Sequence, residues 1–428
     1  MILLLWIIFI SFATLLLIGA PIGVALGLSS AVVTCTIMKI PLMIVVQRMF
    51  TAIDSFSFMA IPFFMLAGSF MASGGVTKRL VKFANSLVGF ITGGLALVVA
   101  VTGMFFAAIS GSSAATTAAL GATLFDEMEK SGYKRDFAAA IIAAGGTVGI
   151  VIPPSITLVV FGVTAGVSIG DLFLGGFGPG IIMGLSMCVL SYFLCKKRGI
   201  KSIGRISLIN IIKSFRDSIF ALMMPVIILG GIYGGIFTPT EAAAVAAVYG
   251  LFVGLFIYKE LTIKNLPSVI LKAAVNTTVI MFIVGGANLF GWILTNARVP
   301  HTVAMFMTSI SSSPIVFLML VNILLLFVGT LVNASAAVVI LVPILFPVAI
   351  SFGINPIFFG VLMIVNLAIG CITPPVGLDL FVVCGITKLP IEKVTKAILP
   401  YLAVLILDLL LITYFPQIIL FVPTILGR

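Results

Sequence analysis

A hard cation such as Na⁺ is held by neutral oxygens from carbonyls, hydroxyls and amides. Two parts of this sequence supply such oxygens in unusual density. SGSSAATTAALGA opens at Ser110, and AAGGTVGIVIPPSITL follows from Ala143 to Leu158. The same ingredients return in GTLVNASAA, from Gly329 to Ala337, and in NLAIGCITPPVGLD, from Asn366 to Asp379. Each proline removes a backbone donor and clashes with the preceding turn, costing a helix about 3 kcal/mol or more. A Pro-Pro pair inside an apolar run therefore unwinds its helix. Irregular backbone survives in hydrocarbon only where it lines a cavity or meets a ligand. The freed carbonyls can coordinate a cation, and the N-terminus of the half-helix that follows can face an anionic group.

The residues divide between those two jobs. Ser112, Ser113, Thr116, Ser155, Asn333, Ser335, Gly377 and Asp379 are the candidates for binding an anionic substrate. Ser110, Gly111, Gly145, Gly149, Pro153, Gly329, Thr330, Asn366, Gly370, Thr373 and Pro374 are the candidates for Na⁺. Small side chains let a ligand approach the backbone. They are also common wherever membrane helices pack closely, so composition alone does not separate binding from packing. The repetition of the whole pattern favours binding.

Catalytic chemistry has little to work with. His301 is the one histidine, and the five cysteines form no CxxC pair, so neither a metal cluster nor a disulfide framework is expected. Two further acids stand in apolar surroundings. Asp408, within YLAVLILDLLLITYF, fits a proton relay, a contact to a partner subunit, or a buried bond to a nearby Thr or Tyr. Glu241 follows Thr238-Pro239-Thr240, a capping box that opens the helix AAAVAAVYGLF.

The elements that must position these residues are membrane helices. The chain has 428 residues, of which 62% are hydrophobic and 8% charged, with a mean hydropathy of +1.37. Uncharged apolar runs of about 20 residues recur along it, the length that spans a bilayer as a helix. An all-α polytopic membrane protein is the fold class. The net charge of +11 belongs to loops that set topology rather than to a nucleic-acid surface.

The two Pro-Pro pairs lie 221 residues apart (374 − 153). Holding that offset pairs Gly132 with Gly353, Gly149 with Gly370 and Pro179 with Pro400. Leu120, Leu124, Phe125 and Phe137 also meet identical partners, and PIGVALG from Pro21 faces PTEAAAV from Pro239 at nearly the same interval. The chain thus reads as two halves of one fold, 1–205 and 206–428. Each half carries scaffold helices (1–93 and 206–312), then a hairpin with a broken helix (94–200 and 313–428).

In the first half, spans are expected near 2–20, 21–38, 56–73, 136–166 and 172–195. Gly94 to Phe125 forms two short spans or one re-entrant hairpin, returning to the side it left. Five crossings per half invert the second half relative to the first. With the N-terminus outside, 19 of the 23 basic residues, Arg205 among them, fall inside. Lys39, Arg48, Arg298 and Arg428 fall outside, a bias that the positive-inside rule demands. SLINIIKSFRDSIF, Ser207 to Phe220, places Leu208, Ile211, Ile212, Phe215 and Ile219 on one face and reads as an interfacial helix; KRLVKFANSLVGF from Lys78 reads similarly.

GGIFTPTEAAAVAAVYG, ending at Gly250, and SGSSAATTAALGATLFDEM with GYKRDFAAAIIAAGGTVGIVIPPS, between Ser110 and Ser155, carry a family resemblance. Through them the chain resembles the large membrane subunit of the tripartite ATP-independent periplasmic (TRAP) transporters, over its whole length. The resemblance implies a small four-helix membrane subunit and a soluble periplasmic binding protein as partners. It also implies a small organic acid as substrate, of the C4-dicarboxylate or sialic acid class, and Na⁺ as the coupling ion without another cofactor. The expected location is the bacterial inner membrane, with the N-terminus periplasmic. An elevator mechanism is implied, with hairpin tips at Ser110–Ser113 and Gly329–Ser335 and broken helices unwound at Gly145–Ser155 and Asn366–Asp379. A single-component Na⁺/dicarboxylate carrier of the related inverted-repeat type is the alternative.

Overall fold

The computed structural model describes residues 2–202 and 206–426. Arg205 and Arg428, which entered the charge sorting, lie outside the described residues. The first half comprises α1 (Ile2–Leu17), α2 (Ile22–Thr36), α3 (Leu42–Ile53), α4 (Ala60–Ser73) and α5 (Val76–Val88). It continues with α6 (Gly94–Ser110), α7 (Ser113–Lys130), α8 (Arg135–Thr147), α9 (Ile156–Ala165) and α10 (Ile169–Lys197). The second half opens with α11 (Leu208–Tyr233), α12 (Pro239–Phe252), α13 (Leu266–Asn296), α14 (Val299–Ile310) and α15 (Pro314–Leu331). It closes with α16 (Ala334–Ser351), α17 (Pro356–Gly370), α18 (Leu378–Thr387), α19 (Ile391–Tyr414) and α20 (Gln417–Ile425). No strand occurs among the described residues. Eight helices are long and apolar enough to cross a bilayer, which makes this an all-α multi-pass membrane protein.

Helix boundaries recur at the interval seen between the prolines. α7 and α16 start 221 positions apart and both run for 18 residues. Their N-caps, Ser112 and Asn333, hold the same interval, and each side chain accepts a backbone N–H of its own first turn. α8 and α17 also start 221 positions apart. The glycines beyond α7 and α16, Gly132 (φ +86°) and Gly353 (φ +71°), turn the chain through the left-handed region.

Packing follows the same two-fold logic. α4 lies on α12 while α13 lies on α2, which braces the early helices of each half against the other. Further along, α7 packs on α18 and α16 on α9, so each hairpin arm leans on the broken helix of the opposite half. The hairpin reading of Gly94 to Phe125 corresponds to α6 and α7, joined by a two-residue tip. The span expected at 136–166 divides into α8 and α9, with a short 3₁₀ turn and the prolines between them.

Two features differ from expectation. Ser207 to Phe220 is not a separate surface helix: it is the start of α11, which continues unbroken to Tyr233. Nothing in the sequence stops a helix between Phe220 and Ala221, and Pro225 is accommodated inside the run. Ser86 Oγ lies 2.7 Å from Ser214 Oγ, holding the early turns of α11 against amphipathic α5. The second difference is length. α1 and α2 have 16 and 15 residues, about 24 Å at 1.5 Å per residue, short of the roughly 30 Å hydrocarbon core.

The capping box at α12 is complete. Thr238 accepts from the Glu241 N–H at 3.3 Å, and Glu241 Oε2 accepts from the Thr238 N–H at 2.8 Å. Thr238→Ala is expected to lower stability by about 1 kcal/mol, with Thr238→Ser close to wild type. Thermal unfolding of the detergent-purified variants measures both.

Candidate functional site

The hairpin tips and the helix breaks are joined by matching backbone hydrogen bonds. The Ile156 N–H donates to Gly111 O at 3.3 Å, and the Gly377 N–H donates to Thr330 O at 3.0 Å. The two donors are again 221 positions apart. Gly111 (φ +61°) is the tip of the first hairpin, and a methyl group there would lie 2.9 Å from Pro154 O. Ser155 caps α9: its hydroxyl donates to Ile150 O at 2.6 Å and accepts the Leu158 N–H at 3.3 Å. The Pro153–Pro154 and Pro374–Pro375 peptide bonds are both cis.

Each hairpin tip also reaches the break of the opposite half. Thr157 Oγ1, just past the first break, lies 3.3 Å from Ser335 Oγ on the second hairpin. Ser113, at the start of α7, faces the Cys371 thiol and the Asp379 carboxylate of the second break. Asp379 is 0% exposed, and apart from the facing Ser113 hydroxyl no hydrogen-bond donor meets its carboxylate oxygens. An isolated buried carboxylate is costly, and such groups are met by a cation or a proton. The under-satisfied oxygens therefore fit a bound cation.

These contacts wall a cavity of about 1020 Å³, ample for a small organic anion. Ser110, Gly111, Ser112 and Ser113 from the first tip, with Asn333 and Ser335 from the second, line it. The lining also takes in Gly68 and Ser69 of α4 and Lys272 and Asn276 of α13. Gly68 brings α4 close to the first tip; a methyl group there would lie 3.4 Å from Ser110 Cα.

The remaining expected residues sit behind this wall. Thr116 is fully buried, donating to Ser112 O at 2.8 Å and lying 2.9 Å from Ser110 Oγ. Gly145 and Gly149 pack against α6 and α7 through faces that have no room for a side chain. Gly329 and Gly370 let the backbones of α15 and α17 touch. Pro153 and Gly377 are buried, while Thr373 and Pro374 are half-exposed away from the cavity lining. Asp379, expected beside the substrate, instead lies wholly under Ser113 and Cys371.

Asn366 belongs to a polar chain that the sequence did not reveal. Its Nδ2 donates to Asn322 O and Oδ1, both at 3.0 Å, and Asn322 Nδ2 donates to Thr413 Oγ1 at 2.9 Å. Asn366 Oδ1 stays without a hydrogen bond. Thr157 was also missed, although it stands only two residues past Ser155 on the same half-helix. Asp408 accepts from Ser186 Oγ at 2.5 Å, so its polar partner is a serine of α10 rather than a Thr or Tyr.

Fold and site together define a multi-pass membrane protein of two related halves, whose hairpins and broken helices wall a common cavity. Residues 9–418 match the family described as tripartite ATP-independent periplasmic transporter, DctM component, and the chain belongs to that family. It is 43% identical to the C4-dicarboxylate TRAP transporter large permease protein DctM of Pseudomonas aeruginosa, over 94% of each chain. It is 41% identical to the sialic acid TRAP transporter large permease protein SiaM of Vibrio cholerae, over 96% of each. Identity to the isethionate TRAP transporter permease protein DctMQ of Oleidesulfovibrio alaskensis is 45% over 96% of this chain, which spans 65% of that protein's length. In fold, the chain is similar to the YdaH transporter of Alcanivorax borkumensis. That likeness has a TM-score of 0.63 at 15% identity and covers 87% of this chain and 89% of the other.

Gly149 offers a sharp test of the packing behind the site. A methyl group there would lie 2.7 Å from Ser112 O and 2.9 Å from Ser113 Cα, so the first tip must move. Gly149→Ala is expected to reduce transport at least tenfold, about 1.4 kcal/mol. Gly385→Ala, with nothing within 4 Å of the new atom, is expected to keep normal transport at equal expression.

Proposed function

We propose that this permease drives Na⁺-coupled uptake of a small organic acid, of the C4-dicarboxylate or sialic acid class. A periplasmic binding protein delivers the substrate, and a small four-helix membrane subunit braces the scaffold in the bacterial inner membrane, with the N-terminus periplasmic. The observation that carries this reading is the crossing of two hairpin tips with two helix breaks at one cavity wall, around a buried carboxylate with under-satisfied oxygens.

Ser112, Ser113, Asn333 and Ser335 face the substrate. The first-turn amides of α7 and α16 add the positive end of each helix dipole behind them. Asp379 serves the cation rather than the substrate. An anion would be repelled by a second carboxylate, and Ser113 stands between Asp379 and the cavity. The break backbone near Gly145, Gly149, Pro153, Gly370, Thr373 and Pro374, with Ser110, Gly111, Gly329, Thr330 and Asn366, offers the remaining oxygens for Na⁺. Cation binding then ties a tip to a break, so closure around substrate depends on sodium. The hairpins and broken helices move as one body against α1–α5 and α11–α14 in an elevator cycle.

The driving force is adequate. One net positive charge entering across 100 mV supplies about 2.3 kcal/mol, roughly a fifty-fold accumulation. Two sodium ions with one monocarboxylate give that charge.

Uptake of labelled sialic acid and labelled succinate into proteoliposomes carrying this chain with its small subunit tests the proposal. Uptake should require both an inward Na⁺ gradient and the binding protein. Sodium-driven uptake without the binding protein would point instead to a single-component carrier. Asp379→Asn should lower uptake at least tenfold, about 1.4 kcal/mol, and weaken its sodium dependence. An unchanged sodium response would remove Asp379 from the cation site.

A further inference from the structure

The scaffold side of the cavity holds polar groups that the transport reading does not use. On α13, Ser268, Lys272 and Asn276 all line it. They stand four residues apart, so they share one helix face and cover about 12 Å at 1.5 Å per residue. Lys272 is the lone charged side chain in the 31 residues of α13. A lysine within an apolar span is expensive unless it faces water or a polar ligand, and the cavity supplies that surface. Glu260, also in the lining, is occupied: Arg79 Nη1 lies 2.7 Å from its Oε1 and Lys78 Nζ 3.7 Å from its Oε2. Among the described residues Lys272 enters no ion pair. With Lys78, Arg79 and Glu260, it leaves this end of the cavity net positive.

We infer that Ser268, Lys272 and Asn276 form a scaffold-side ladder that receives the organic anion as it leaves the hairpin tips on the cytoplasmic side, with Lys272 as the charged rung. The inference rests on the proposed transport direction. Ser268 stands nearest the N-terminal end of α13, which the charge sorting puts on the cytoplasmic side, so Asn276 and Lys272 reach the anion first. Because the ladder belongs to the scaffold, it engages substrate only when the tips stand opposite it. It therefore acts on release and on rebinding from inside, and leaves capture from the binding protein untouched. Attraction to one cation also makes this step sensitive to ionic strength.

The test compares the two faces of the reconstituted transporter. Apparent affinity for internal succinate or sialic acid, whichever the binding protein delivers, is read by counterflow from preloaded proteoliposomes. External affinity is read by uptake. Lys272→Gln should weaken internal affinity by about tenfold, the effect of one partly screened charge contact. External affinity should stay unchanged, and the KCl sensitivity of the internal side should be lost. Lys272→Arg should retain both properties. Lys264→Gln, a basic residue of the same end that does not line the cavity, should behave as wild type. Asn276→Leu should weaken internal affinity without removing the salt dependence. If Lys272→Gln and Asn276→Leu transport normally with wild-type internal affinity, the ladder is wrong and the transport reading stands. If wild-type protein moves neither anion from either face, both fall.

Discussion

Two backbone hydrogen bonds organise the centre of this protein. Ile156 and Gly377 each stand just past a Pro-Pro pair, and each donates its N–H to the last turn or tip of a hairpin, at Gly111 and Thr330. In hydrocarbon an unwound segment cannot turn to solvent for partners, so its polar groups must be answered by neighbouring chain. The hairpins are what answers. A hairpin without its break would lose the donor to its carbonyl at Gly111 or Thr330, and a break without its hairpin would strand the amide of Ile156 or Gly377. Each half pairs the two elements through the same contact.

Much of this was legible in the sequence because glycine and proline dictate backbone shape directly. The Pro-Pro pairs marked the breaks and their spacing marked the repeat; Ser112 and Asn333, read there only as candidate substrate contacts, prove also to cap their helices at matching positions. The capping box at Thr238 and Glu241 was equally plain, since it depends on four consecutive residues. What escaped was set by tertiary packing. The pairing of Asn366 with Asn322 and of Asp408 with Ser186 joins residues 44 and 222 positions apart, and no local pattern announces such partners. The boundary of α11 failed for a related reason. An amphipathic face followed by an apolar run has the same periodicity whether the helix bends at the membrane surface or continues straight through.

Depth was the hardest quantity to read. Asp379 stands four residues past Pro375, where a ligand contact was expected, yet it is covered by Ser113 and Cys371. Sequence gives the order of residues around a break but not which side the opposite half will cover. The interleaving of halves, with α7 on α18 and α16 on α9, decides that. Ser335 and Thr157 illustrate it from the other direction: 178 positions apart, they meet across the two halves with hydroxyls 3.3 Å from one another.

The shared interval between the halves has a consequence for which changes of length the chain can absorb. Each tip side chain owes its direction to the rotational phase of the helix that carries it, and one added residue turns an α-helix by about 100°. A single insertion within α7 would swing the rest of that helix out of phase with Ser113, and with it the face that meets α8 and α18. Between Lys130 and Arg135, where α7 has ended and α8 has not begun, an insertion would shift no helical phase. Length variation among descendants of such a duplication should therefore collect at the junctions between helices, with the helices themselves keeping step.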